Sequence, residues 1–151
     1  MAQEQAQNAQ PQMTEEQASA WVREQFQAAN KYLAEQGIIT DRVLTKESRY
    51  LVPYVAIWKF TTQDRKELWL VNGDVPTDVV GAKAAKDARE AMRHISMQWQ
   101  LKAQAIIDDP KASQDPEQQK YANYLISRAE GIYEAVANDA LWQSPEEKGN
   151  S

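Results

Sequence analysis

Two short runs in the middle of the chain are apolar on both of their faces, and this restricts the fold more than any other feature. Residues 54–61 (YVAIWKFT) and 67–71 (ELWLV) are rich in aromatic and β-branched side chains, and the polar Gln63-Asp64-Arg65-Lys66 between them suits a hairpin turn. Side chains alternate along a strand, so Val55 and Ile57 point to one side while Ala56, Trp58 and Phe60 point to the other. A two-stranded ribbon is only marginally stable by itself. Helices must therefore cover at least one face of this hairpin and parts of both. Pro53, with no N–H to give a ladder, is expected to open the first strand or to lie on its edge.

The flanking sequence supplies those helices. Thr14-Glu15-Glu16-Gln17 has the form of a capping box, after which Ala18, Val22, Phe26, Ala29 and Leu33 fall on one stripe, opposite Arg23, Gln27, Asn30 and Lys31. Gly37 suits a left-handed stop. Residues 38–49 are irregular and partly charged, which predicts a surface connector. After the hairpin, residues 72–78 read as turn chemistry, and a long helical pattern starts near Ala82. Ala84, Ala88, Ala91, Met92, Ile95, Trp99, Ala103 and Ile106 form its inner face. Lys86, Arg89 and Arg93 lie opposite, but Met97 and Leu101 follow on the same side, so the second half is expected to be buried nearly all round. Asp108-Asp109-Pro110 ends it. Asp115 and Pro116 open a last helix with an apolar stripe of Tyr121, Leu125, Ala129, Ile132, Tyr133, Val136 and Ala140, and Trp142 is a closing anchor. The expected fold is α+β: three helices packed around a small antiparallel β-hairpin sheet, in the order α-β-β-α-α.

Residues 13–142 make one domain of a 151-residue chain. Residues 1–12 are Gln- and Ala-rich with no bulky apolar anchor, and 143–151 are polar, so both are expected to be flexible tails. The amino-terminal segment has no Lys or Arg and no apolar run, unlike a secretory signal or a basic transit peptide. No stretch approaches the roughly 20 apolar residues of a membrane span.

Composition narrows the chemistry. There is no cysteine, which removes disulfides, thiolate metal sites and every Cys nucleophile, and His94 is the only imidazole. Seventeen basic residues against twenty-two acidic ones give a net charge of −5, a field that repels phosphate backbones at long range. Three places could still hold a site. In Gly73-Asp74-Val75-Pro76-Thr77-Asp78 two carboxylates and a hydroxyl lie close together between a strand and a helix, a common position for a ligand loop. The bland account is that Gly73 and Pro76 shape the turn while Thr77 or Asp78 caps the next helix. His94, with Glu90 four residues and Asp87 seven residues before it, could act as a base or metal ligand, although a surface histidine beside helix carboxylates is commoner. Lys86, Arg89 and Arg93, with Lys83 nearby, could grip an anion, or could be a solvated face paired with Asp87 and Glu90. Base-stacking aromatics are absent from that stripe.

The run from Gly73 to Asp78, together with Ala88-Arg89-Glu90-Ala91-Met92-Arg93-His94-Ile95-Ser96-Met97 and Trp99-Gln100-Leu101, resembles a family of small, uncharacterised proteobacterial proteins defined as a domain of unknown function. The resemblance spans about residues 14–142. It implies a bacterial, cytoplasmic protein and brings no activity, catalytic residue or cofactor with it.

No motif assembles a nucleophile, a base and an oxyanion donor, and no ligand set fixes a metal, so the expectation is a non-enzymatic interaction or regulatory module with no cofactor. Its partner would be another protein or a second copy, not nucleic acid or membrane. The candidate site residues are Asp74, Thr77, Asp78, Arg89, Arg93 and His94. The alternative is a small-molecule-binding protein or small enzyme with a pocket between hairpin and central helix, built on Asp74, Asp78 and His94; nucleic-acid binding through the basic stripe ranks third.

Overall fold

A computed structural model of the chain describes residues 13–143, so the tails expected at 1–12 and 143–151 lie outside it apart from Gln143. Helix α1 (Glu15–Glu35) begins where the capping box predicts. The N–H of Gln17 donates to the Thr14 hydroxyl at 3.1 Å, and the N–H of Thr14 donates to the Gln17 side chain at 3.0 Å. Gly37, at φ +78°, follows its end in the left-handed region.

The hairpin is the centre of a larger sheet. Strands β1 (Thr40–Val43), β2 (Arg49–Leu51), β3 (Val55–Thr62), β4 (Glu67–Gly73) and β5 (Asp78–Gly81) form one antiparallel sheet in the order β1-β3-β4-β5. The remaining strand, β2, shares an edge of β3 with β1: β1 pairs with the Phe60–Thr62 end and β2 with the Val55–Ile57 end. The segment expected to be a surface connector thus contributes sheet. An open β3 edge would leave a row of unpaired N–H and C=O groups, and short segments with Asp41 and Arg42 turned outward satisfy it at little cost in buried charge. At the break between the two, the N–H of Leu44 donates to the Lys59 carbonyl at 2.7 Å. The N–H of Lys59 in turn donates to the buried Ser48 hydroxyl at 3.0 Å. Pro53 lies in the turn joining β2 to β3, after a cis peptide bond, and does not open β3.

Residues 78–81, expected as the turn into the next helix, form a strand. Asp78 does not cap a helix; it opens β5, in which Val79 and Val80 pair with Leu70 and Trp69 of β4. Two β-branched residues beside an available strand edge outweigh the turn signal of the preceding proline.

Each sheet face carries its own core. On one side α1 covers Ala56, Trp58, Phe60, Leu68 and Leu70 with Ala29, Leu33, Phe26 and Trp21. On the other, Val55, Ile57, Trp69, Val71 and Val80 meet Met92, Ile95 and Trp99 of helix α2 (Ala88–Asp108). Helix α3 (Pro116–Ala137) packs along α2 through Ala122, Leu125, Ala129 and Ile132. Both faces of the hairpin are therefore covered, with chain order α1, five strands, α2, α3.

Helix α2 starts at Ala88 and not near Ala82, because the Asp87 carboxylate accepts the N–H of Glu90 at 2.8 Å and caps it; a single 3₁₀ turn (Ala82–Ala84) precedes. Asp108 is its last residue. Its second half is not buried all round: Met97 is 58 % and Leu101 65 % exposed. The sheet and α3 both meet the side carrying Ile95, Trp99 and Ala103, which leaves the outer face to water. Asp115 caps α3 as expected, with Pro116 in its first turn. On α3 the inner stripe is Leu125, Ala129, Ile132 and Val136, whereas Tyr121 and Tyr133 are exposed. The Trp142 indole donates to the Ala135 carbonyl at 2.9 Å and anchors the end of the domain.

Candidate functional site

The loop after β4 separates the two carboxylates that the sequence brings close. Gly73, at φ +121°, lets the chain turn so that the N–H of Asp74 donates to the Tyr54 carbonyl at 2.8 Å. Arg128 of α3 then takes Asp74 from outside, its Nε donating to the Asp74 carbonyl at 2.8 Å and its Nη2 lying 3.4 Å from Oδ1. The same guanidinium lies over the Tyr124 ring, 4.9 Å from its centroid. Asp78 turns inward instead, where its Oδ2 accepts the Trp99 indole N–H at 2.9 Å and its Oδ1 the N–H of Val79 at 2.8 Å. Thr77 stands exposed between them. Both carboxylates are occupied by the fold itself, one holding α3 to the loop and the other holding α2 to β5.

The basic stripe is similarly divided. Arg89 reaches the far end of α3, donating from Nε to the Val136 carbonyl at 2.9 Å and from Nη2 to Asp139 at 2.6 Å. A cation at the terminal carbonyls of a helix is favourable there, where the backbone dipole is negative. Lys86 lies 3.8 Å from Glu90, and Lys83 belongs to the preceding 3₁₀ turn. That leaves Arg93, exposed, with no carboxylate within ion-pair distance among the described residues.

His94 is also exposed, and its expected neighbours are engaged elsewhere: Asp87 caps α2, and Glu90 accepts from the Lys86 N–H at 3.2 Å. Asp74, Asp78 and His94 do not meet. The space between hairpin and α2 is filled by Ile57, Trp69, Val71, Met92, Ile95 and Trp99, all essentially buried. Among the described residues no cluster of three His, Asp or Glu is placed to hold a metal ion.

What the structure does bring together on the outer face of α2 is one stripe: Arg93, Met97, Leu101, Gln104 and Asp108, at spacings of three and four along the helix. All five are exposed, and His94 flanks them. The sequence contains the signal for this surface, since Met97 and Leu101 fall opposite Ile95 and Trp99 on the helical wheel. Residue type suggested burial there, and the wheel position indicated exposure.

A second feature lies at the tip of the β3–β4 hairpin, on the α1 side. A trough of about 500 Å³ is lined by Ile38, Ile39, Leu68 and Val79, with Gln63, Asp64 and Lys66 at its rim. The Thr62 hydroxyl donates to the Asp64 carboxylate and holds its carboxyl below the usual carboxylate range.

No described helix is long and apolar enough to cross a membrane. Among known proteins, the family described as Domain of unknown function (DUF4826) matches residues 15–142. Neither the curated proteins nor the solved structures contain a match.

Proposed function

The chain belongs to the family described as Domain of unknown function (DUF4826), and from that premise we propose that it is a non-enzymatic protein-interaction module that presents the outer face of α2 to a protein partner. The observation that carries this reading is the exposure of Met97 (58 %) and Leu101 (65 %), one turn apart on the side of α2 opposite the buried Ile95 and Trp99. Burying such a side chain is worth about 1.5–3 kcal/mol, and two of them bordered by Arg93 and His94 combine an apolar centre with polar margins, the anatomy of a protein interface. The occupied state of Asp74, Asp78 and Arg89 supports the same reading, because their hydrogen-bonding groups are already used within the fold. A bacterial cytoplasmic setting belongs to this proposal, and the absence of cysteine is compatible with a reducing compartment.

A second reading, a small-molecule-binding protein, draws on the apolar trough at the hairpin tip with Ile38, Leu68 and Val79 in its lining.

Site-specific photocrosslinking in living cells tests the first reading. A photoreactive side chain at position 97 or 101 is expected to trap a discrete protein adduct, and one at position 31, exposed on α1, is expected to trap none. Absence of any adduct at 97 and 101, in variants with a wild-type thermal melt, overturns it.

A further inference from the structure

The charge order along the α2 stripe says more about the partner. Arg93 stands at one end, Asp108 at the other, and Leu101 between them. At a rise of about 1.5 Å per residue, the cation lies about 12 Å from Leu101 in one direction and the carboxylate about 10.5 Å in the other. Neither charge is neutralised at home: among the described residues no acidic group lies within ion-pair distance of Arg93, and no basic group within that distance of Asp108. The Gln104 amide donates to Asp108 at 2.9 Å, fixing the carboxylate without cancelling its charge. Glu90, one turn before the stripe, is already matched by Lys86.

A stripe with opposite charges at nearly equal distances from an apolar centre is complementary to its own reverse. We infer, building on the interaction-module reading, that the partner is a second copy of this chain, docked antiparallel along α2 about a two-fold axis near Leu101. This arrangement sets Leu101 against the partner's Leu101, Met97 against the partner's Gln104, and Arg93 against the partner's Asp108, each polar contact occurring twice by symmetry. The stripe itself carries no net charge, so bringing two copies of an acidic chain together here adds no local repulsion. A parallel alignment would stack Arg93 on the partner's Arg93 and is disfavoured.

Light scattering on the purified full-length chain, run over a concentration series, reads this directly. The wild type is expected to pass from 17.2 kDa to twice that mass. Leu101→Glu is expected to remain monomeric. Arg93→Glu alone and Asp108→Lys alone, each with a wild-type thermal melt, are expected to weaken dimerisation at least about tenfold, since each homodimer would contain two like-charge contacts. An equimolar mixture of these two variants restores both ion pairs across the interface and is expected to recover the dimer. A wild type that stays monomeric up to about 1 mM overturns the proposal. So does a dimer indifferent to the reversals, or a mixture that fails to recover. The broader reading fails separately: a monomeric wild type whose crosslinks at 97 and 101 trap a different protein removes the second copy and leaves the module, whereas a monomer with no crosslink removes both.

Discussion

Trp99, in the middle of α2, donates its indole N–H to Oδ2 of Asp78, the first residue of β5, at 2.9 Å. The ring is 1 % exposed, and the carboxylate is half-buried at the rim of the same core. Removing the ring opens a large cavity between sheet and helix, so Trp99→Ala is expected to cost roughly 3–5 kcal/mol in urea unfolding. Asp78→Ala keeps the packing but leaves the buried N–H without its acceptor, an expected loss of about 1–3 kcal/mol. Equal stability of Asp78→Ala and wild type would show that this bond contributes nothing to holding β5.

The two positive-φ glycines separate backbone strain from steric exclusion. A methyl group on Gly37 would meet nothing within 4 Å, so Gly37→Ala is expected to cost about 1 kcal/mol, the conformational penalty alone. On Gly73 it would lie 2.6 Å from the Tyr54 carbonyl oxygen and 3.0 Å from the Val55 Cα, both backbone atoms at the start of the adjacent strand β3. Gly73→Ala must therefore displace the start of β3 and is expected to lower the melting temperature well beyond Gly37→Ala. A melt of the two variants side by side decides it.

Ser48 provides a third test. Its hydroxyl accepts the N–H of Lys59 where β1 has ended and β2 has not begun, and it donates to the Leu44 carbonyl at 2.9 Å. Ser48→Ala should leave a shielded backbone donor unpaired and destabilise the chain by about 1–3 kcal/mol. Hydrogen exchange is the local readout: the Lys59 amide is expected to lose protection in the variant while Trp58 and Phe60 keep theirs.

Lys59 gives a pH dependence with a definite sign. Its ammonium is 2.9 Å from Glu47, 3.6 Å from Glu67 and 5.1 Å from the centroid of the Trp69 ring. The hydrogen bond with Glu47 is the chief reason its pKa lies above the ordinary 10.5. A folded value above the unfolded one means that the contribution is complete below about pH 10.5 and is lost as the pH rises through the folded value. Glu47→Gln is expected to lower stability near neutrality by an amount that shrinks to zero once Lys59 has deprotonated. Titration of the Lys59 side chain by NMR should show its midpoint moving down toward 10.5 in Glu47→Gln; an unchanged midpoint would refute the assignment.

Legibility of the fold in the sequence follows from how local each cause is. The capping box at Thr14, the Asp115 and Pro116 start of α3 and the paired β3 and β4 runs depend on residues within a turn or a strand of one another, and all stand where the pattern places them. β1, β2 and β5 were not legible, because each is three or four residues long and exists only through the strand it borders. The candidate residues show the same limit. Arg89 was readable as a helix cation, but its partner Val136 lies 47 positions away, as Trp99 lies 21 from Asp78. Met97 and Leu101 have the residue type of a core while their wheel position opposite Ile95 and Trp99 points to water, and residue type misleads there because large apolar side chains usually lie inside.

The two cores of the sheet also differ in time. Every residue of the α1-side cluster, from Trp21 to Val79, is synthesised before β5 is complete, whereas the opposite cluster needs α2 and α3 and closes only with Trp142. During translation, then, the nascent chain can finish one half of its interior while Val55, Ile57, Trp69 and Val71 still form a bare apolar wall. That wall is the surface most open to misassociation until the last two helices arrive, and a pause in synthesis after Gly81 has emerged from the ribosome but before α3 is complete would lengthen its exposure most.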